Sequence, residues 1–145
     1  MAKLKFDLMN NAKDSLLNGM HALAWSDESS SNKYKHAILS IFHCLELLLK
    51  ERVRQENPSL VWDNIDKYPS LSANTVGVDK AISRLEKICG VDILEEDKKT
   101  ILACCNLRNA IQHFEFEIPE KEAKIIIGET LSFIWLFVVS CGNPV

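Results

Sequence analysis

The strongest structural signal in this chain lies in residues 33–55. Their apolar side chains recur in steps of four and three residues, the spacing that places side chains on one face of an α-helix: Tyr34, Ile38, Ile41, Leu45 and Leu48. A neighbouring row widens this apolar stripe: Leu39, Phe42, Leu49 and Val53. A stripe this wide predicts a long helix that several other elements cover, and the rest of the chain must supply them.

Four more segments have helical periodicity. We predict helices over residues 5–25, 78–89, 95 to 113 or 115, and 119 or 120 to 139. The last of these is apolar on almost every side towards its end, which indicates burial in the core or against a partner. Residues 59–76 lack a helical period and contain Pro69, so we predict an irregular connection. Packing on the body is favoured for it over a role as a lid or binding segment.

The size and composition fit one domain. The chain has 145 residues, of which 47% are hydrophobic and 26% are charged, so it can bury a core. We therefore predict an all-α protein, with a single domain over residues 1–145 folded as an up-and-down bundle of about five helices. The net charge is -3 at pH 7, which excludes the strongly basic proteins that coat nucleic acid. Any bound RNA would occupy a local site.

The cysteine pattern and the apolar segments indicate the compartment. The five cysteines are odd in number and show neither a Cys-x-x-Cys pair nor zinc-ligand spacing, so we predict reduced, mostly buried thiols and no metal. Residues 1–20 lack the unbroken apolar stretch of a signal peptide. The apolar run at residues 131–139 is shorter than the roughly 20 residues that a membrane-spanning helix needs. We therefore predict a cytoplasmic protein that does not associate with membranes.

Arg108 and His113 are the candidate catalytic residues. They stand near the predicted end of the fourth helix, with Asn109 directly after the arginine. Arginine stabilises an anionic phosphate and histidine moves protons near neutral pH, so the two together can cut RNA without a metal. On an ideal helix their side chains point about 140° apart, so they would converge on one phosphate only if the helix ended near His113 or Arg108 reached around it. A two-fold dimer, with motifs from both chains lining one groove, would remove that difficulty.

Glu46 is a carboxylate within the wide apolar face of the second helix, where it needs a partner. One interpretation is a surface pair with Lys50, four residues further along the helix. The other is a functional or structural pair with Arg108, which lies on the apolar face of the fourth helix. If Arg108 and Glu46 form only a structural bridge, His113 would be a surface residue at a helix end.

These features together resemble the HEPN family, the small helical domains of many prokaryotic ribonuclease toxins and defence effectors. The family signature is an arginine, four to six residues and a histidine, usually with a polar residue after the arginine, and it corresponds here to Arg108, Asn109 and His113. The helix before it also matches the family pattern at three positions: Ala37, Glu46 and Lys50. The resemblance covers residues 33–139.

The resemblance implies a metal-independent endoribonuclease without a cofactor, acting in toxin–antitoxin systems or anti-phage defence. It implies a homodimer, which we expect to form through residues 120–139 and the Arg108–His113 region, and an antitoxin protein as a further partner. His113 would act as general base or acid on the ribose 2′-hydroxyl, Arg108 would stabilise the phosphate, and Asn109 would orient His113 or the phosphate. Glu46 would position Arg108, and the products would carry a 2′,3′-cyclic phosphate. The alternative is a non-catalytic HEPN-like module that binds a nucleotide, RNA or a protein.

Overall fold

The computed structural model describes residues 2–25 and 30–141, and these residues form five α-helices. The helices are α1 (Leu8–Trp25), α2 (Ser30–Glu56), α3 (Val78–Lys87), α4 (Glu95–His113) and α5 (Glu120–Cys141). The same residues contain no β-strand, and one isolated bridge joins Trp62 to Thr75. The predicted all-α class is therefore confirmed.

The helix ends agree with the sequence prediction to within a few residues. Helix α2 begins earlier than predicted, at Ser30. Helix α3 ends at Lys87, and Gly90 then adopts the left-handed conformation (φ 68°) that favours glycine after a helix. Helix α4 ends at His113, as predicted, because the next residue is extended and Pro119 lies further along.

Helix α2 is the centre of the bundle and packs against all four other α-helices. The apolar stripe predicted for it is buried, including Ile38, Ile41, Leu45, Leu49 and Val53. Burial of each such side chain stabilises the fold by about 1.5–3 kcal/mol relative to an exposed position. The wide stripe thus indicates a helix whose surface is mostly covered by other helices.

Gly19 allows a close approach between α1 and α2. A Cβ atom at this position would lie 2.9 Å from Ile41 Cγ1 and 3.3 Å from the carbonyl oxygen of Ala37. Gly19 is itself buried inside α1. A glycine inside a helix lowers its intrinsic stability, and here the close packing of two helices offsets that cost.

The connection between α2 and α3 is fastened to the bundle, as favoured from the sequence. It contains two short 3₁₀-helices, Pro58–Val61 and Ile65–Lys67. Arg84 of α3 donates hydrogen bonds to three of its backbone carbonyl groups, those of Leu60, Trp62 and Asp63. The Trp62 indole N–H also donates to the Ser70 carbonyl at 2.8 Å. These bonds satisfy carbonyl groups of the connection that are not paired within a regular helix or strand.

Replacing Arg84 by methionine is expected to lower the free energy of unfolding by about 2–3 kcal/mol, because three carbonyl groups lose a charged donor. Urea denaturation followed by circular dichroism measures this change. The matched control is Lys87→Met on the same helix, since Lys87 is exposed and makes no hydrogen bond or ion pair with the described residues. Equal destabilisation by the two variants would contradict a role for Arg84 in holding the connection.

Helix α5 has a buried face and an outward apolar face. The predicted inward stripe is largely buried, including Ala123, Ile127, Thr130, Ile134 and Phe137. Over Glu120–Ser140 the helix is long and apolar enough to cross a bilayer, with a mean hydropathy of 1.7, and core helices of soluble proteins meet the same criterion. The short run at residues 131–139 therefore belongs to a longer apolar helix than the sequence prediction assumed. One such helix does not by itself indicate a membrane protein.

Candidate functional site

Helix α4 places Arg108 and His113 on different sides of the bundle. Arg108 faces inward, and its guanidinium carbon lies 4.4 Å from the centre of the Phe42 ring on α2. His113 is the last residue of α4 and is exposed to solvent. The helix is continuous between them, so the separation of about 140° expected from helix geometry holds within one chain.

The groups in direct contact with the Arg108 guanidinium are neutral. Its Nη1 donates to Asn109 Oδ1 and to Gln112 Oε1, each at 3.0 Å, and the Phe42 ring covers it. A cation over an aromatic face is attracted by the ring, and the amide oxygens accept hydrogen bonds without neutralising the charge. Among the described residues no carboxylate forms an ion pair with Arg108. The guanidinium is therefore held in place with its positive charge intact.

The expected pair between Arg108 and Glu46 is wrong. Glu46 instead pairs with Lys50, with Oε1 and Nζ 3.0 Å apart, as the simpler interpretation predicted. Lys50 is only 8% exposed and also donates to Thr75 Oγ1 at 3.0 Å. The physical reason is that the connection after α2 covers Lys50, so the buried ammonium needs the carboxylate one turn earlier. In this chain Glu46 and Lys50 together join α2 to the connection.

Changing Glu46 to alanine is expected to lower the free energy of unfolding by about 1–3 kcal/mol, since the buried Lys50 ammonium loses its counter-ion. Glu56→Ala is the matched control, because Glu56 is exposed and lies 3.7 Å from Arg52, also four residues away. Exposed pairs of that kind contribute about 0–1 kcal/mol. If the control loses as much stability as Glu46→Ala, the burial of Lys50 is not what makes the pair important.

A shallow groove beside α4 brings several of the predicted residues together. Its volume is about 370 Å³, and its lining includes Phe42, Glu46, Asp79, Lys80, Arg108 and Asn109. Arg108, Asn109 and Glu46 thus share one surface, although Glu46 and Arg108 are not paired. His113 does not line this groove. A phosphate in the groove would meet Arg108, whereas His113 lies on another face of the same chain.

Asn109 orients Arg108 rather than His113. Its side-chain oxygen accepts from Arg108, and its amide nitrogen donates to Cys105 Sγ at 3.9 Å. The sequence interpretation gave Asn109 the role of orienting His113 or the phosphate, and it did not name Arg108. In this chain the Asn109 side chain contacts Arg108 and Cys105, not His113.

Phe42 and Gln112 were not identified from the sequence, and both hold the guanidinium. Gln112 follows Arg108 by four residues, a spacing at which helical side chains meet, so that contact was available from the sequence. Phe42 lies on another helix, and its contact depends on how α2 and α4 pack. Periodicity assigned it to the core stripe, where it is buried, without indicating its aromatic contact.

The buried cysteines carry no nucleophilic chemistry at neutral pH. Burial raises the pKa of the Cys44 thiol to about 12 and that of Cys104 to about 11. Both therefore remain protonated, whereas a thiolate is the reactive form. Within residues 2–25 and 30–141 no group of three or more His, Cys, Asp or Glu side chains is placed to hold a metal ion.

Comparison of the chain with protein-family models, with curated proteins and with solved structures gives no match. The resemblance to the HEPN family therefore depends on the residues of the Arg–His motif and of the helix before it.

Proposed function

We propose that this protein is a metal-independent endoribonuclease of the HEPN type. The observation that supports this proposal best is the environment of Arg108. Its two hydrogen bonds both use Nη1, so Nε and Nη2 make no hydrogen bond with the described residues. A preorganised guanidinium with free donors is suited to binding a phosphate through two parallel hydrogen bonds.

In the proposed reaction the ribose 2′-oxygen attacks the neighbouring phosphorus and the bond to the 5′-oxygen breaks. His113 takes the proton from the 2′-hydroxyl or gives a proton to the departing 5′-oxygen, and the imidazole suits either role near neutral pH. Arg108 stabilises the negative charge that develops on the phosphate oxygens. The products are a 2′,3′-cyclic phosphate and a 5′-hydroxyl, and no metal or cofactor takes part.

The reaction needs a second copy of the chain, because Arg108 and His113 do not share a face in one copy. In a two-fold dimer His113 of one copy would approach the Arg108 groove of the other. The outward face of α5 supports such an assembly, since Trp135 is 69% exposed and Val139 is 64% exposed. Contact through α5 and the Arg108–His113 region would bury this apolar surface.

The biological setting proposed for this activity is toxin–antitoxin systems or anti-phage defence in the cytoplasm. A ribonuclease that cuts cellular RNA harms its own host unless a partner restrains it. An antitoxin protein that covers the Arg108 groove would supply that restraint.

A non-catalytic HEPN-like module that binds a nucleotide, RNA or a protein is the second candidate. The separation of Arg108 from His113 within one chain favours it, because the groove alone can bind a phosphate without cutting RNA. The net charge of -3 also limits RNA contact to a small site.

The test is to incubate the purified protein with total RNA in the presence of EDTA and to examine the ends of the fragments. We expect cleavage that EDTA does not inhibit, with 3′ ends that resist phosphatase until acid opens the cyclic phosphate. Expression of the protein should also arrest growth. Intact RNA at protein concentrations where the dimer forms would overturn the nuclease proposal and leave the binding module.

A further inference from the structure

The residues before α1 form a short arm, residues 2–6, that leaves two large apolar side chains in solvent. Leu4 is 86% exposed and Phe6 is 75% exposed. Lys3 and Lys5 alternate with them, and neither lysine forms an ion pair within the described part of the chain. In an extended chain alternate residues point to opposite sides, so the arm has an apolar edge and a basic edge.

The arm has a fixed starting point on the bundle. The Asp7 side chain accepts a hydrogen bond from the backbone N–H of Asn10 at 2.8 Å, which caps the first turn of α1. Leu23 of α1 lies beside Tyr34 of α2, and Gly19 lies beside Ile41, so the two helices run antiparallel. The start of α1, and the arm before it, therefore lie towards the carboxyl end of α2.

A groove between α4 and α5 is apolar with acidic edges, and so complements the apolar and basic side chains of the arm. It encloses about 660 Å³, and its apolar lining includes Ile125, Phe133 and Leu136. Three carboxylates and one lysine surround these side chains: Glu96, Asp97, Glu129 and Lys99. Within the described residues none of the three carboxylates has an ion-pair partner. We call this surface the α4–α5 groove.

The α4–α5 groove extends to the same end of the bundle as the arm. Tyr34, near the start of α2, donates to Glu120, the first residue of α5, at 3.0 Å, so these two packed helices begin together. The groove follows α5 from Ile125 to Leu136, so its Leu136 end lies towards the carboxyl end of α2. Arms that leave there can cross to a neighbouring copy of the chain.

The length of the groove also agrees with the length of the arm. From Ile125 to Leu136 the groove follows α5 for about 16 Å, at 1.5 Å per helical residue. A five-residue extended arm spans at most about 17 Å. Leu4 and Phe6 would cover the apolar lining, and the flexible lysine side chains would reach the carboxylates at its edges.

We propose that the arm of one copy binds in the α4–α5 groove of a second copy, and that two such exchanges hold a homodimer together. The occupant is the arm of a second copy because its two lysines complement the three carboxylates of the groove, and because Leu4 and Phe6 remain in solvent on their own chain. This assignment does not depend on ribonuclease activity.

The first test measures the dimerisation of the full chain by sedimentation over a range of concentrations. The double variant Lys3→Glu, Lys5→Glu is expected to raise the dissociation constant at least about tenfold, because attraction at the groove edge becomes repulsion. The control is Lys67→Glu, Lys121→Glu, two exposed lysines without an ion pair in the described chain. A wild-type monomer at every concentration, or equal effects of the two variants, would overturn the proposal.

The second test pairs opposite changes on two chains. The groove variant Glu96→Lys, Glu129→Lys should also be monomeric alone, whereas a mixture with the arm variant should form heterodimers, since each arm then meets an oppositely charged groove. Circular dichroism checks that both variants remain folded. If the mixture stays monomeric while all four changes in one chain restore wild-type compactness without association, the arm binds its own groove, and the exchange is wrong.

Discussion

Replacing His113 by alanine is expected to lower the rate of RNA cleavage by about 10²–10⁴-fold, because the proposed reaction loses the group assigned to proton transfer. The protein should keep its stability, since His113 is exposed at the end of α4. The measurement is the initial rate of cleavage of a labelled RNA in EDTA, with unfolding by urea recorded in parallel.

The matched control for this variant is His43→Ala. His43 is likewise exposed on a helix, and it makes no hydrogen bond or ion pair with the described residues. Its removal should leave cleavage unchanged. Equal activity of wild type and His113→Ala would show that the cleaving group lies elsewhere or that the activity comes from a contaminant.

Replacing Arg108 by lysine is expected to lower the cleavage rate by about 10²–10³-fold, although the positive charge is retained. A lysine cannot supply two parallel donors to a phosphate, and it cannot stack its charge over Phe42 as a planar guanidinium does. The loss should appear mainly in kcat, since the lost interaction forms with charge that develops during the reaction.

Arg52→Lys is the control for Arg108→Lys, because Arg52 forms an ordinary ion pair with Glu56 on α2. A purely structural Arg108 would give a different result: Arg108→Lys would lose stability and RNA binding together, with kcat unchanged. The variant Gln112→Ala separates the two roles further. It removes one of the two oxygens that hold the guanidinium and should reduce kcat less than Arg108→Lys does.

The fold was predictable because helical periodicity records burial. Five segments showed it, and the four-and-three stripe on α2 is buried at Ile38, Ile41, Leu45 and Leu48, while Tyr34 at its start is partly buried. The importance of Gly19 was not predictable. A glycine inside a helix lowers local stability, and only the packing of α1 against α2 shows that a Cβ there would lie 2.9 Å from Ile41.

The directions of the Arg108 and His113 side chains were predictable from the sequence, but the residues that contact Arg108 were not. The inward direction of Arg108 and the outward direction of His113 follow from 100° per residue. The choice of Phe42 rather than Glu46 as the neighbour of Arg108 does not, because it depends on the connection after α2. That segment has no periodicity, and by covering Lys50 it gives Glu46 a nearer cation.

The placement of Arg108 and His113 on separate faces has a consequence for dosage. If each cutting centre takes one group from each of two copies, the cleavage rate in dilute protein rises with the square of its concentration. Newly made chains would then form an inert pool until their number approaches the dissociation constant of the pair. A modest rise in expression, or a fall in the amount of a competing partner, would then convert inactive monomers into active dimers. The concentration of the protein itself would serve as the trigger.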